Sequence, residues 1–198
     1  MTIDDVITAL RGGPEHSVEE ARSLASAEPG LYSWWADPRS LPSEVPRVPH
    51  PETRRALIYV GVAPASATSR GNLARRLRAH TKGPIGSSTL RRGLAALLYE
   101  EKGWRPVWAS TRPGLESRDL ALSAWQVENL TVRWCVHTEP WAVEPAVIAA
   151  MVPPMNLEHN HANPFHATMS ARREKFRLAA EVRRDGLPID QAVAARGR

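Results

Sequence analysis

Prolines divide the first half of this chain into segments that cannot join into one regular element. Five of them, Pro38, Pro42, Pro46, Pro49 and Pro51, fall within residues 37–55. Proline removes a backbone donor and fixes φ, so this stretch predicts an extended loop rather than a helix or strand. Apolar runs on either side predict strands over residues 31–36 and 56–62. The chain is therefore expected to hold two neighbouring strands with a long loop between them.

The rest of the sequence is mostly helical in its periodicity, with one further strand. A third strand is predicted over residues 131–138, where apolar and polar residues alternate. Ser17 followed by Glu20 forms a capping-box pattern at the start of the second helix. Helices are predicted over residues 2–11, 17–27, 72–81, about 88–100, 116–129, 144–151 and from about 168 onward. This order indicates an α/β (α+β) fold with a small central three-stranded sheet flanked by helices.

Charge is distributed unevenly along the chain. The 198 residues carry 26 Lys and Arg against 21 Asp and Glu, for a net charge of +5. Such an excess suits an acidic partner such as nucleic acid, although it is also common in proteins with no such partner. Residues 70–92 hold seven basic and no acidic side chains. The residues predicted to contact nucleic acid in this run are Arg70, Arg75, Arg78, Lys82, Arg91 and Arg92.

Length and composition exclude several classes of protein. A chain of this length supports one domain with a core of its own. Cys135 is the only cysteine, which excludes an intramolecular disulfide and a cysteine-based zinc site. The N-terminus lacks the core of a signal peptide, and no run of eighteen apolar residues exists. We therefore expect a cytoplasmic protein without a membrane segment.

Two short tyrosine segments lie in the first two predicted strands. They are Gly30-Leu31-Tyr32 and Tyr59-Val60-Gly61. Because the strands are neighbours, the hydroxyl groups of Tyr32 and Tyr59 can meet at one edge of the sheet. Tyrosine is also a favoured strand residue, and the glycines also suit a turn or bulge, so a purely structural reading stays open.

The predicted helix over residues 72–81 carries charge on its apolar side. Leu73, Arg76, Leu77 and His80 recur at i, i+3, i+4 and i+7, so they share one stripe. A guanidinium that faces the sheet needs a partner, and phosphate is a suitable one. His80 is placed to bind a phosphate or to assist proton transfer. Two alternatives stay open: a rotated helix whose arginines are solvated, and a histidine that acts as a cation near the helix C-terminus.

Two later segments carry possible metal ligands. Glu144 begins the helix predicted over residues 144–151, and one carboxylate can hold Mg²⁺ while water and phosphate oxygens complete the coordination. A glutamate before Pro145 at a helix start is equally what capping favours. The histidine-rich tract 158–166 gives only a weak zinc signal, because it lacks cysteines and well-spaced carboxylates. We interpret it as a polar turn that can contact DNA.

In their order and spacing, these segments resemble the GIY-YIG endonuclease superfamily. Gly30-Leu31-Tyr32 is similar to the first motif with Leu for Ile, and Tyr59-Val60-Gly61 to the second with Val for Ile. The resemblance covers residues 28–163 and implies a mostly antiparallel sheet. The other positions that match the superfamily's site residues are Arg76, His80, Glu144 and Asn156.

The resemblance implies a metal-dependent endonuclease acting on DNA. Tyr59 would act as, or relay to, the general base for an attacking water, with Tyr32 and His80 completing its hydrogen-bond network. Arg76 would stabilise phosphate charge, and one Mg²⁺ (or Mn²⁺) on Glu144 would stabilise the leaving 3′ oxygen. Which group takes the proton stays open at this point.

The chain also departs from the superfamily's pattern. Tyr32 and Tyr59 are separated by 27 positions, with residues 37–55 as an insertion loop, and Val62 stands where repair members often carry lysine. We expect one compact domain made of an N-terminal helical arm (1–27), a catalytic core (28–163) and a basic helical extension (164–198).

All the motif positions are occupied, which favours an enzyme over two alternatives. These are a non-catalytic nucleic-acid-binding module on the same fold and an interaction protein whose pattern arose by chance. The oligomeric state, monomer or homodimer, stays open.

Overall fold

The computed structural model of the chain describes residues 1–109, 111–116 and 119–185, and the side chains as far as residue 182. The end of the predicted basic extension, from residue 186, lies outside the described residues. The helices are α1 (Ile3–Gly12), α2 (Val18–Leu24), α3 (Leu73–Thr81), α4 (Thr89–Leu98), α5 (Leu120–Asn129), α6 (Pro140–Met151) and α7 (His166–Asp185). The strands are β1 (His16–Ser17), β2 (Gly30–Ala36), β3 (Val48–Pro49), β4 (Ala56–Ala63), β5 (Pro106–Ala109), β6 (Arg112–Leu115) and β7 (Leu130–Val136).

The main sheet has five antiparallel strands in the order β1-β7-β2-β4-β3. The predicted sheet of three strands is corrected to five, because the two-residue strands β1 and β3 add to its edges. Its three long strands, β7, β2 and β4, are the three that the sequence predicts. The separate pair β5 and β6 falls in a region where the sequence predicts no strand.

The sheet is covered by helices on both faces. All residues of β2 and β4 are buried. Residues of α2, α3, α4, α5 and α7 pack on one face, and residues of α1 and α6 pack on the other. Trp34 lies in the first cluster and Trp35 in the second, with exposed fractions of 0% and 1%. Both tryptophans are therefore interior, since a strand in a covered sheet has two interior faces.

The outer edge of β4 is only partly covered by another strand. Strand β3 pairs with Ala56 and Leu57 alone. Ile58 has no partner on β2, where the register shifts between Trp34 and Trp35, so β4 bulges at this point. The loop after α6 takes over the next stretch of the edge, because Met155 N donates to Ile58 O at 3.0 Å. Beyond that stretch the edge of β4 opens into a cleft.

Local signals in the sequence set several element ends. The capping box is confirmed, with Glu20 N donating to Ser17 Oγ at 3.2 Å and Ser17 N donating to Glu20 Oε2 at 2.7 Å. The proline-rich loop 37–55 is not wholly irregular, since it contains a 3-10 turn (Pro38–Ser40) as well as β3. Within the described ranges, no helix is both long and apolar enough to cross a membrane.

Candidate active site

A cleft of about 460 Å³ lies at the open edge of β4. Its walls come from two strands, four helices and the loop that follows α6. The side chains that line it include Tyr32, Tyr59, Arg76, Thr89, Arg92, Glu144, Asn156, Glu158, His159 and Arg173. The structure thus brings five of the six predicted catalytic residues into the lining of one cleft, and the sixth, His80, is buried in contact with Tyr32.

The two tyrosines share one face of the sheet because of the strand register. Tyr32 lies opposite Gly61, and Tyr59 lies opposite Trp34, so the tyrosines are diagonal neighbours. Gly61 is required for close approach, since a Cβ there would lie 2.5 Å from Tyr32 Oη. The second tyrosine motif therefore supplies the hydroxyl of Tyr59, and its Gly61 leaves room for the ring of Tyr32.

A hydrogen-bond chain runs from Tyr32 into the core. Tyr32 Oη lies 2.6 Å from His80 Nε2, and His80 Nδ1 lies 2.6 Å from Ser88 Oγ. Ser88 caps α4 by accepting from Arg91 N at 3.1 Å, so its own O–H is left to donate to His80 Nδ1. Both ring nitrogens of His80 are then satisfied if Nε2 carries the proton and donates to Tyr32 Oη, while Nδ1 accepts from Ser88. This arrangement leaves the O–H of Tyr32 free for the cleft.

His80 is held neutral by its surroundings. It is fully buried, between the rings of Tyr32 and Tyr59 and the edge of Trp34. Burial lowers the pKa of His80 well below its usual value, and the charges of Arg76 and Arg91 lower it further. The alternative of a charged histidine near the helix C-terminus does not fit, since this environment disfavours the charged form of His80.

Arg91 was predicted to contact nucleic acid, and the structure corrects this. Its exposed fraction is 0%, and its guanidinium donates to Gln126 Oε1, to Asp119 O and to Ser123 Oγ. Gln126 Nε2 in turn donates to His80 O at 3.0 Å. Arg91 therefore holds α5 beneath the Tyr32–His80 chain, and burial lowers the pKa of Arg91 to about 10.

Arg76 reaches the cleft from α3, whereas its neighbours Arg75 and Arg78 are exposed. Arg76 Nε donates to Tyr32 Oη at 3.3 Å. The charge interaction with Tyr32 raises the pKa of Arg76, with burial opposing the shift. It forms no ion pair with any carboxylate of the described residues. Its terminal nitrogens are thus available to an anion in the cleft.

Both tyrosine hydroxyls are buried in an environment that disfavours their charged forms. Burial raises the pKa of Tyr32 and of Tyr59, and Arg76 opposes the shift at each. The Tyr59 hydroxyl has no hydrogen-bond partner among the described residues, unlike that of Tyr32. Of the two, Tyr59 is the one whose oxygen is free to bind water.

Glu144 lines the cleft from the middle of α6. The helix begins at Pro140 rather than at Glu144, and Pro145 lies inside it, so the expectation of a glutamate at a helix start is wrong. Burial, and next the charge of Glu158, raise the pKa of Glu144 to about 7 against the opposing effect of Arg76. Glu144 is therefore a half-buried carboxylate whose negative charge the protein does not fully compensate.

The cleft's donor set is compatible with a single Mg²⁺ or Mn²⁺. The described residues contain no group of three or more His, Cys, Asp or Glu side chains placed to hold a metal ion, and this includes the described histidine-rich tract. Magnesium commonly binds through one or two carboxylates and keeps several waters. Glu144, with Glu158 close enough to shift its pKa, fits that mode.

Asn156 positions the cleft wall rather than pointing a free amide into it. Val60 N donates to Asn156 Oδ1 at 3.0 Å, and Asn156 Nδ2 donates to Val60 O at 2.8 Å. Both ends of the amide are thus bound to the edge of β4. The tract that follows supports this loop, since Asn160 Nδ2 donates to Pro153 O at 2.8 Å and to Asn156 O at 3.2 Å.

The other predicted nucleic-acid contacts differ in position. Arg70 and Arg75 line a second groove that shares Arg76 and Val62 with the cleft. Arg78 and Lys82 are exposed near the end of α3, and Arg92 lies in the cleft itself.

Sequence reasoning missed three side chains of this region. Ser88 was predicted only to lie at the start of the helix over residues 88–100, and Glu158 and Arg173 only to belong to a polar tract and a basic helix. The missing signal for Ser88 is its contact with His80, which becomes visible only when α3 and α4 pack together. Arg173 comes from α7, far along the chain, so no local spacing points to it.

Comparisons with known proteins agree with this geometry. The family model described as GIY-YIG catalytic domain matches residues 30–175, a range that extends into α7. A search of curated proteins found no match, and neither did a search of solved structures.

Proposed function

The chain belongs to the GIY-YIG catalytic domain family, and from this premise we propose that it is a metal-dependent endonuclease that hydrolyses phosphodiester bonds of DNA. One observation carries the proposal. A guanidinium without an ion pair, Arg76, and an incompletely compensated carboxylate, Glu144, line one cleft with two tyrosine hydroxyls. That combination matches what a phosphodiester and its attacking water require.

Binding of the scissile phosphate is assigned to Arg76. Its Nε is held by Tyr32, which fixes the plane of the guanidinium and leaves the terminal nitrogens for two phosphate oxygens. Charge accumulates on those oxygens as the phosphorus becomes five-coordinate. A donor already oriented toward them stabilises that state without reorganising.

Orientation of the attacking water is assigned to Tyr59. Its oxygen, unpartnered among the described residues, accepts a hydrogen bond from the water. Tyr32 takes the complementary role, because its oxygen accepts from His80 and Arg76 and its O–H is free to donate to the substrate. His80 stays neutral throughout and holds Tyr32 in place.

Glu144 is the residue that would hold Mg²⁺ or Mn²⁺. When bound, such an ion supplies positive charge that stabilises the leaving oxygen. In the overall reaction the water oxygen bonds to phosphorus and the bond from phosphorus to the 3′ oxygen breaks. The products would carry a 5′-phosphate and a 3′-hydroxyl.

Supercoiled plasmid provides the test of this function. The purified protein is incubated with it in Mg²⁺ and in EDTA, alongside the variants Arg76→Met and Arg39→Met. Arg39 is the control because it is exposed and paired with Asp37, away from the cleft. We expect nicked or linear product only in Mg²⁺, a rate roughly a hundredfold lower for Arg76→Met, and no change for Arg39→Met.

The same samples distinguish the enzyme from a binding module. A salt-sensitive mobility shift without cleavage would replace the proposal with a non-catalytic nucleic-acid-binding protein. If the protein neither cuts nor binds DNA, the charged cleft has no nucleic-acid role.

A further inference from the structure

The lysine and arginine side chains of α7 that the structure describes fall into two groups. Arg172, Lys175 and Arg177 each form ion pairs with glutamates. Arg173 forms none with any carboxylate of the described residues, although it is less exposed than Lys175. It is also the only one of the four that lines the cleft. The one unpaired cation of this group is thus the one directed to the candidate active site.

Arg173 reaches the cleft by passing over α4 at a glycine. A Cβ on Gly93 would lie 3.4 Å from Arg173 Nη2, so the two helices approach closely there. Among the described residues the guanidinium makes a single hydrogen bond, from Nη2 to Met155 O at 3.0 Å. Burial lowers the pKa of Arg173. A half-buried guanidinium with most of its donors unused calls for an acceptor.

Arg92 presents a second guanidinium to the same place from α4. Its only hydrogen bond is a long one of 3.5 Å, from Nη2 to Thr89 Oγ1, and it has no carboxylate partner among the described residues. Burial and next the charge of Arg112 lower the pKa of Arg92. The charge of Arg92 also lowers the pKa of Arg173, so the two guanidiniums lie within interaction range.

The positive and the negative side chains of the cleft lie on different walls. Cations come from α3, α4 and α7, and carboxylates come from α6 and the loop after it. Arg76 donates to Tyr32 and is the residue assigned to the scissile phosphate. Arg92 and Arg173 lie apart from that hydrogen-bond chain and share no hydrogen bond with it. They provide more positive charge than one scissile phosphate needs.

We propose that Arg92 and Arg173 form a second phosphate-binding subsite, which holds a backbone phosphate next to the one that is cut. The inference rests on the proposed nuclease function, because the ligand is the same nucleic-acid strand. Two guanidiniums can clamp one phosphate through parallel N–H···O bonds. The subsite would set the position of the strand along the cleft.

The test measures binding in a background that cannot cut. A fluorescent single-stranded oligodeoxynucleotide is titrated with Glu144→Gln protein at several salt concentrations, with and without Arg173→Met. The logarithm of the binding constant is plotted against that of the salt concentration. We expect Arg173→Met to make the slope shallower by about 0.7, the value for one phosphate contact on a single strand.

Arg172→Met is the matched control, since it changes the adjacent residue of the same helix. Arg172 pairs with Glu44 and Glu100 outside the cleft, so the slope should stay unchanged. Arg92→Met gives an independent test that leaves the bond to Met155 intact. Both side chains hold the same phosphate. The Arg92→Met/Arg173→Met protein should therefore have a slope that is shallower by no more than about 0.7, the value for one phosphate contact.

The outcomes separate this inference from the proposed function. Salt-dependent binding by the background protein, with slopes for Arg92→Met and Arg173→Met equal to that of Arg172→Met, would overturn the subsite and leave the nuclease proposal standing. Absence of binding by the background protein and of cutting by the unsubstituted chain would overturn both. Thermal midpoints of all variants show whether each remains folded.

Discussion

At the scale of single residues, the environment of His80 decides how the candidate site is held. From sequence, the alternative to a site role for His80 is a cation near the end of helix α3. Instead it lies between Tyr32 Oη and Ser88 Oγ, with no exposed surface. A neutral imidazole can donate at one nitrogen and accept at the other, which is what a directional chain to Tyr32 requires.

The buried neutral His80 predicts a loss of stability in acid. In the unfolded chain a histidine takes up a proton below pH about 6.5, whereas the folded state resists it because the pKa of His80 is lowered. Below that pH the unfolded state binds more protons, so the free energy of unfolding should fall by about 1.4 kcal/mol per pH unit from this group. Stability gained from the neutral residue is fully present above pH about 6.5.

Urea denaturation at a series of pH values checks this prediction. The His80→Gln variant should be less stable throughout, yet its stability should depend less steeply on pH below about 6.5 than that of the unsubstituted protein. Parallel pH profiles for the two proteins would show that His80 does not titrate as a buried group.

The orientation of a side chain could be predicted where its spacing from apolar residues placed it on one face of a helix. Arg76 was singled out because it shares a stripe with Leu73 and Leu77, and it is the arginine of α3 that reaches the cleft. The same phase argument applies to Arg91, which shares a stripe with Leu94 and Leu98, but there the run of basic residues misled the interpretation. The roles of Ser88 and Arg173 depend on contacts between distant elements, which spacing alone does not encode.

At the scale of elements, the loop after α6 completes the edge of β4. Met155 and Asn156 bind the bulged stretch at Ile58 and Val60 much as a neighbouring strand would. The loop thereby fixes where the cleft begins and carries Glu158 to it. Asn156 thus shapes the cleft by holding the loop against β4.

Replacing Asn156 by alanine should destabilise the fold strongly. The change leaves the N–H and C=O of Val60 without partners at a buried edge, at a cost of about 1–3 kcal/mol each. We expect the free energy of unfolding to fall by about 2–6 kcal/mol in total. Asn72→Ala is the comparison, because Asn72 only caps α3 through Arg75 N and should cost about 1 kcal/mol. If denaturant titrations show the same loss in the free energy of unfolding for both variants, Asn156 contributes no more to stability than a helix cap does.

Long elements were predictable, and short ones were not. The strands β2, β4 and β7 appear within about two residues of their predicted bounds, because continuous or alternating apolar runs specify them. The two-residue strands β1 and β3 have no pattern of their own and exist because a neighbour offers an unpaired edge. The pair β5 and β6 contains Pro106, Pro113 and Gly114, which weaken a strand signal in sequence.

At the scale of the whole molecule, the basic surface and the cleft are continuous. The groove lined by Arg70 and Arg75 adjoins the cleft through Arg76 and Val62. Positively charged side chains therefore continue from the groove to Arg76 at the cleft. The position of the basic side chains therefore says more about where nucleic acid would bind than the modest net charge of the chain does.

This continuity predicts how binding depends on salt. The Arg70→Gln/Arg75→Gln variant should bind duplex DNA more weakly, with a slope against salt shallower by about 1.8 if each side chain contacts one phosphate. Arg39→Gln, which removes one positive charge from an exposed site away from the groove, should leave the slope unchanged. Electrophoretic mobility shifts across a salt series supply the values. The same slope for all three proteins would place the DNA elsewhere.

The most direct test of the central claim compares two glutamates of one helix region. Glu144 lines the cleft, whereas Glu139 is exposed at the start of α6 and makes no capping bond with its side chain. In Mg²⁺, Glu144→Gln should nick supercoiled plasmid roughly a hundredfold more slowly or worse, since several kcal/mol of charge stabilisation is lost, while still binding DNA. Glu139→Gln should cut at the unsubstituted rate. Cutting by Glu144→Gln at that same rate would contradict the assignment of catalysis to this cleft.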